Sequence, residues 1–399
     1  MTANHGQWIT RAGPGTLAAA AALVGDAAPH AILIVGPSGV GKTTLADDLA
    51  AGLLCLAPDP ADRPCRACRG CRLVAGGNHP DVHRLSPEGP GGQVLIGDSG
   101  RPASRGVRNL VAELAYLPVE GGHRVAIVEH AERMNEDAQN ALLKTLEEPP
   151  PRTTIILCAD EEDRLLPTVR SRCVRLRLAP LGGRGIEELL VERGISDAPT
   201  AARLARIAAG RPGLAIAYAR LPEAITIHDE IARTLLDLVG ASTAARLVAG
   251  RELIDRSAAL EAALRPVVVA VRPAARLPRG ASRAAAVAAP ADEAEPGTDQ
   301  PAAGKRSPAE RRRAVLGLVD IWRELALDLA IAGLGGRHEL RDPALLEELV
   351  TAAGRVQPGA IGRFLGQLDH VAELVEGNTG PELAIDVLVL GWPRATAAA

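Results

Sequence analysis

Apolar positions fall in two rhythms along this chain. In the first part, short unbroken apolar runs alternate with stretches of helical spacing. Residues 31–35 (AILIV) form one run; it ends in a glycine-rich segment from Gly36 to Gly41, after which Leu45, Leu49, Leu53 and Leu54 recur at helical intervals. Residues 125–128 (VAIV) form a second, followed by Ala138, Leu142, Leu143 and Leu146, and residues 154–158 (TIILC) a third. Continuous apolar strands alternating with amphipathic helices predict a parallel sheet covered on both faces, since crossover helices bury both sides of such a sheet. Residues 86–102, rich in Gly, Ser and Pro, predict a loop or a weak hairpin around Val94 to Ile96.

From Arg184 the rhythm changes to helix alone. Residues 186–191, 201–209 and 214–219, punctuated by Gly210 and Pro212, predict a small helical subdomain. From about residue 225 the pattern stays helical, except that residues 272–306 lack periodicity and predict a disordered insertion. Ser307, Pro308, Ala309 and Glu310 read as a capping box that restarts the helix. Val315, Val319, Trp322, Leu325 and Leu329 share one helical face, as do Ile361, Leu365, Leu368, Ala372 and Val375. Such stripes predict helix–helix core. The organisation expected is therefore an α/β domain over residues 1–178, a helical subdomain over 179–222 and an all-α domain over 223–399.

At 399 residues the chain is long enough for two or three domains. A net charge of −3 argues against tight autonomous binding to DNA, which needs clustered Lys and Arg. The N-terminus lacks the charged, apolar and small-residue regions of a signal peptide. The best apolar candidate for a membrane span, residues 18–35, is broken by Asp26, Pro29 and His30. The expectation is a cytoplasmic chain without membrane contact, in which six cysteines are not structural disulfides.

The segment Gly36-Pro37-Ser38-Gly39-Val40-Gly41-Lys42-Thr43 fits G-x-x-x-x-G-K-[ST], with Thr44 next. Glycines let successive backbone N–H groups point at phosphate oxygens, and the helix that follows adds its positive end. Lys42 is expected to reach the β and γ phosphates of ATP, and the Thr43 hydroxyl to ligate Mg²⁺. Binding follows from this motif; hydrolysis does not.

Cys55, Cys65, Cys68 and Cys71 read C-x9-C-x2-C-x2-C. Four thiolates at these gaps can converge on one tetrahedral Zn²⁺, with no position open for a catalytic water; the alternative is a set of reactive thiols. Arg63, Arg66, Arg69 and Arg72 surround the cluster and are expected to offset its charge. Cys158 and Cys173 stand apart as ordinary buried thiols.

With a P-loop and a four-cysteine module inserted after its first helix, the chain resembles bacterial DNA polymerase III clamp-loader subunits of the AAA+ family. Asn140-Ala-Leu-Leu-Lys-Thr-Leu-Glu-Glu-Pro-Pro150 resembles the signature helix of that family, and Ser171-Arg172-Cys173 its SRC motif. The resemblance covers residues from about 30 to 220. It implies an AAA+ sheet with an inserted zinc module at 55–71, a helical lid and an all-α collar, the last cued only by residues 378–390. It also implies partners: gamma/tau and delta types of subunit in a hetero-oligomeric ring, the sliding clamp, and primed DNA reached through the assembly.

The residues that polarise water depart from the hydrolysing members of the family. After the second apolar run those carry Asp-Glu; here stand Glu129 and His130. Ala159 takes a sensor position usually filled by Thr or Asn, and Gly213 the lid position usually filled by Arg, with Arg211 close by. These departures imply a stator-type subunit, itself a weak or inactive ATPase. The nucleotide-binding set is then Gly36 through Thr44 with Glu129, and Arg172 is implied to act in trans on a neighbour's ATP. Arg170 competes for that role, and pairing with a local carboxylate is the plainer use of Arg172. Three readings remain beside this one: an active gamma/tau-type ATPase, an ATP-switched zinc-containing nucleic-acid-binding repair regulator, and a small-molecule kinase.

Overall fold

The computed structural model describes residues 6–25, 27–87, 93–97, 106–120, 122–270, 308–336, 340, 343–376 and 380–395. The predicted insertion at 272–306 and Ser307 of the capping box lie outside the described residues.

Five parallel strands form the sheet: β1 (Ala31–Val35), β2 (Val82–Leu85), β3 (Arg124–Val128), β4 (Thr153–Ala159) and β5 (Val174–Arg177), in the order β2-β3-β4-β1-β5. Ala31 lies opposite Ile155 and Arg124 opposite Thr153. The three apolar runs became β1, β3 and β4, the inner strands, and each of them is almost wholly buried. β2 and β5 are the edges. They carry His83, Arg84, Arg175 and Arg177 because one side of an edge strand stays open to solvent; a search for apolar runs therefore passes over them.

The helices, in chain order, are α1 (Pro14–Ala22), α2 (Lys42–Leu53), α3 (Arg69–Ala75), α4 (Val107–Leu114), α5 (Glu136–Glu147), α6 (Pro167–Arg170), α7 (Gly183–Glu192), α8 (Ala198–Ile207), α9 (Pro212–Arg220), α10 (Pro222–Asp237), α11 (Thr243–Ala270), α12 (Pro308–Gly333), α13 (Leu346–Ala353), α14 (Pro358–Glu376) and α15 (Pro381–Gly391). Side chains alternate across β1. Ile32 and Ile34 pack with Leu45 and Leu49 of α2 on one face; Ala31 and Leu33 join a core with Leu142 and Leu146 of α5 on the other. The sheet is thus covered on both faces, as the pattern predicted. Among the described residues no hairpin forms around Val94. That residue instead makes a parallel bridge to Met134, which ties the segment to the turn after β3.

A third apolar cluster runs from Ile186 in α7 to Trp392 beyond α15. The stripe Val315, Val319, Trp322, Leu325 and Leu329 is buried in it, as are Ile361, Leu368 and Val375. Trp322, Phe364 and Trp392 meet with ring centroids 4.8–5.6 Å apart, so the sole phenylalanine of an aromatic-poor chain is spent here. Beside this knot Arg246 of α11 is fully buried. Its guanidinium donates to the carbonyls of Val389 (3.1 Å), Trp392 (2.5 Å) and Pro393 (3.0 Å), closing the C-terminal end of α15. Among the described residues no helix is long and apolar enough to cross a membrane.

Candidate functional site

The Gly36–Thr43 loop leaves the end of β1 and runs into α2. Gly41 sits at φ 105, a left-handed conformation that residues with a Cβ rarely adopt. A Cβ on Gly36 would come within 2.1 Å of the Leu178 carbonyl oxygen, so only glycine lets the loop pass β5. The backbone geometry thus demands the glycines of the motif. A cavity of about 280 Å³ opens on the loop, lined by Ser38 to Thr44 together with His130, Asp160, Arg193 and Gly213.

Lys42 is buried here. Its ammonium donates to the carbonyls of Gly36 (2.6 Å) and Pro37 (2.8 Å) and pairs with Asp160 Oδ1 at 2.5 Å. Asp160 is the first residue after β4, directly after Ala159. His130 Nδ1 lies 3.2 Å from Glu132 Oε1 and 4.0 Å from Asp160 Oδ2, and Glu132 Oε2 accepts from the Asp160 backbone N–H at 3.2 Å. Burial pushes the Glu132 carboxyl up, but its bonds to His130 and the backbone win, and it is held below the usual carboxylate range. His130 adopts φ 52, a region that His enters more readily than branched residues do.

Glu129 is not among the described residues that line the loop cavity. Its carboxylate accepts from the Ser86 hydroxyl at 3.0 Å and lies 3.8 Å from Arg84, which also holds Asp47 of α2. It faces the neighbouring cleft instead. The turn after β3 brings His130, not Glu129, to the wall of the loop cavity. Gly213 does line the cavity, whereas Arg211 passes its stem over Gly39 and sends its guanidinium to Asp320 (2.7 Å) and Glu324 (3.0 Å) of α12. No pattern in the sequence pointed to those two carboxylates.

The four cysteines converge. One sulfur from each of Cys55, Cys65, Cys68 and Cys71 lies within 4.8 Å of all the others, and Cys55 and Cys68 are 4.0 Å apart. Zn–S bonds of about 2.3 Å in a tetrahedron set sulfurs about 3.8 Å apart, so the set fits zinc with little movement. Backbone N–H groups of Cys65 and Ala57 point at Cys55 Sγ (3.4 and 3.5 Å), and those of Cys71 and Leu56 at Cys68 Sγ (3.4 and 3.5 Å). Such donors stabilise thiolates. Burial pushes the Cys55 and Cys71 thiols up. At Cys65 burial is outweighed by backbone and thiol hydrogen bonds, which bring it down to about 7.

Three of the arginines around the cluster also bond to groups outside it. Arg66, at φ 57, reaches across to Asp48 of α2 and to the Gln7 carbonyl; Arg63 donates to the Ala57 carbonyl and Arg69 pairs with Glu120. Asp48 also accepts from the backbone N–H groups of Ile9 (3.0 Å) and Thr10 (2.7 Å). One buried carboxylate therefore gathers the N-terminal segment, the cysteine module and the helix of the phosphate loop. Cys158 is buried and its thiol pushed up by that burial; Cys173 is pushed up, mainly by burial, to about 11. Cys158 is buried as expected, whereas Cys173 is only half-buried.

Arg172 lies two residues past α6, on the surface. It donates to the Thr168 carbonyl at 2.8 Å and to Glu147 of α5 at 2.6 Å, with about a third of its side chain exposed. Arg170 is engaged by Asp163 at 2.6 Å. In the isolated chain, then, both arginines rest on local carboxylates that solvent can replace.

A five-stranded parallel sheet in the order β2-β3-β4-β1-β5, with a glycine-rich loop between β1 and α2, defines a P-loop fold. Residues 19–182 match the family model described as DNA polymerase III, delta subunit. The chain is similar to the DNA polymerase III subunit delta' of Pseudomonas aeruginosa, 39% identical over 46% of this chain and 53% of that protein. It is 41% identical to the Escherichia coli delta' subunit over 47% of this chain and 54% of that one. Against the Escherichia coli tau subunit the identity is 33%, over 45% of this chain and 27% of tau. This chain thus spans about half the length of the delta' subunits it matches.

Proposed function

We propose that this chain is a delta-prime-type stator of a DNA polymerase III clamp loader, which grips nucleotide without turning it over briskly and offers Arg172 to a neighbour's ATP. The observation that carries the proposal is the wall of the phosphate cavity: His130 stands where hydrolysing members carry the water-orienting glutamate, and Asp160 occupies the loop lysine. The identity to delta' subunits above that to tau supports the same choice.

In this reading residues 1–178 hold the nucleotide, 179–222 act as a lid and 223–399 join a helical collar in a ring with gamma/tau and delta types of subunit. The ring opens the sliding clamp and sets it on primed DNA in the cytoplasm. The backbone N–H groups of Gly36 to Thr44 cradle the phosphates, and Thr43 is positioned to hold Mg²⁺ with them. Zinc on Cys55, Cys65, Cys68 and Cys71 supplies no chemistry; it cross-links the end of α2 to α3. Arg172, freed from Glu147 by an approaching subunit, offsets the charge that develops on the neighbour's γ-phosphoryl group.

The test is ATP turnover by the purified chain, alone and with gamma/tau- and delta-type subunits, the clamp and primed DNA. Little turnover alone and strong stimulation of the assembly are expected. Brisk turnover by the lone chain, lost in His130→Ala, would instead make it a motor subunit.

A further inference from the structure

The cavity on the phosphate loop is closed by carboxylates at the end that a terminal phosphate reaches. An ammonium has three protons. Two of those of Lys42 go to the carbonyls of Gly36 and Pro37, and the ammonium pairs with Asp160 Oδ1 at 2.5 Å. In a P-loop this lysine serves the β and γ phosphates. The Asp160 carboxylate therefore stands where a γ-phosphate oxygen would stand, already on the lysine. Behind it Glu132 is held ionised by His130 and by the Asp160 backbone N–H.

Compensation is weak: Arg133 Nε lies 3.9 Å from Glu132 Oε1, on a side chain 38% exposed to solvent. The lid position that could carry an arginine is Gly213, and the nearby Arg211 is held 2.7 Å from Asp320 and 3.0 Å from Glu324. Arg11 and Arg193 also line the cavity, but both are exposed, and Arg11 is paired with Glu192 at 2.5 Å; charges open to solvent are screened. The inner phosphates are served differently. Backbone N–H groups of the loop and the N-terminus of α2 also hold them, so a diphosphate that shares Lys42 with Asp160 keeps most of its phosphate contacts.

Resting on the reading of this loop as a nucleotide site, we infer that the pocket selects a nucleoside diphosphate over the triphosphate, with Asp160 as the residue that excludes the terminal phosphate. A γ-phosphate must displace Asp160 from Lys42 and then lie beside two carboxylates in a half-buried site, where like charges repel strongly. A diphosphate lacks the group that would lie beside the two carboxylates.

Equilibrium binding of fluorescent ADP and ATP to the full chain, at fixed Mg²⁺ and ionic strength, tests this. The wild type should hold ADP at least about tenfold more tightly than ATP. Asp160→Asn should raise ATP affinity by about tenfold and leave ADP within about twofold, and Glu132→Gln should move ATP in the same direction by less. Unchanged thermal melts identify folded variants, and either variant suffices. Equal affinities in the wild type, or a ratio that neither variant alters, overturn the inference while the nucleotide site stands. Binding of neither nucleotide by any of the proteins overturns the nucleotide site and the inference with it. ATP binding gained by Asp160→Asn, when the wild type takes neither nucleotide, overturns the diphosphate preference.

Discussion

Arg211 and Asp320 are 109 residues apart in the chain, and their side chains meet at 2.7 Å. With Glu324 also engaged at 3.0 Å, the arginine whose stem lies on Gly39 of the phosphate loop is anchored in α12. Arg211→Ala should cost about 1–3 kcal/mol, since it removes a mostly buried cation that ties the phosphate loop to Asp320 and Glu324 of α12. Denaturant unfolding of variant and wild type measures this, and a change of less than about 0.5 kcal/mol would show that the tie is not structural.

Metal analysis should find about one zinc per chain. Chelation, or Cys68→Ser, should lower stability by several kcal/mol and open residues 55–75 to proteolysis. A metal-free chain with an unchanged melt would exclude a structural zinc.

Arg172→Ala should leave folding nearly untouched, because the pair with Glu147 is solvent-exposed and worth less than about 1 kcal/mol. In the reconstituted loader the same variant should reduce ATP turnover by about 10³-fold or more. Arg170→Ala should leave both folding and turnover nearly unchanged.

Arg246 is a buried cation whose partners are all backbone carbonyls. Arg246→Met keeps the apolar stem and removes the donors, so it should cost about 2–4 kcal/mol and loosen α15. Hydrogen exchange of residues 381–391 should rise in the variant before any global loss of protection.

Asp229 of α10 receives two bonds from Arg203 of α8, at 2.7 and 2.8 Å. Burial pushes its carboxyl up, but His228 and Arg203 outweigh burial and hold it below its ordinary 3.8. A depressed carboxylate contributes stability above the unfolded value and loses it as pH falls through the folded one. Stability should therefore drop by roughly 1 kcal/mol on acidification below pH 4, and Asp229→Asn should flatten that part of the pH profile.

The inner strands were legible because burial on both faces forces continuous apolar runs, and β1, β3 and β4 have them. The phosphate loop was legible because its glycines answer to local backbone geometry, and the cysteines because metal-ligand spacing is a local property of the chain. The edge strands β2 and β5 were not, since an open edge carries arginine and histidine like any surface. Position in the sequence could not tell which residue after β3 faces the phosphate loop; the left-handed turn at His130 decides it, sending Glu129 to Arg84 and Ser86. Likewise only the folded chain pairs Lys42 with Asp160, Arg66 with Asp48 and Arg211 with Asp320 and Glu324. Spacing along the chain fixes what neighbours in sequence can do together, whereas these charges are matched across elements, where packing sets the distance.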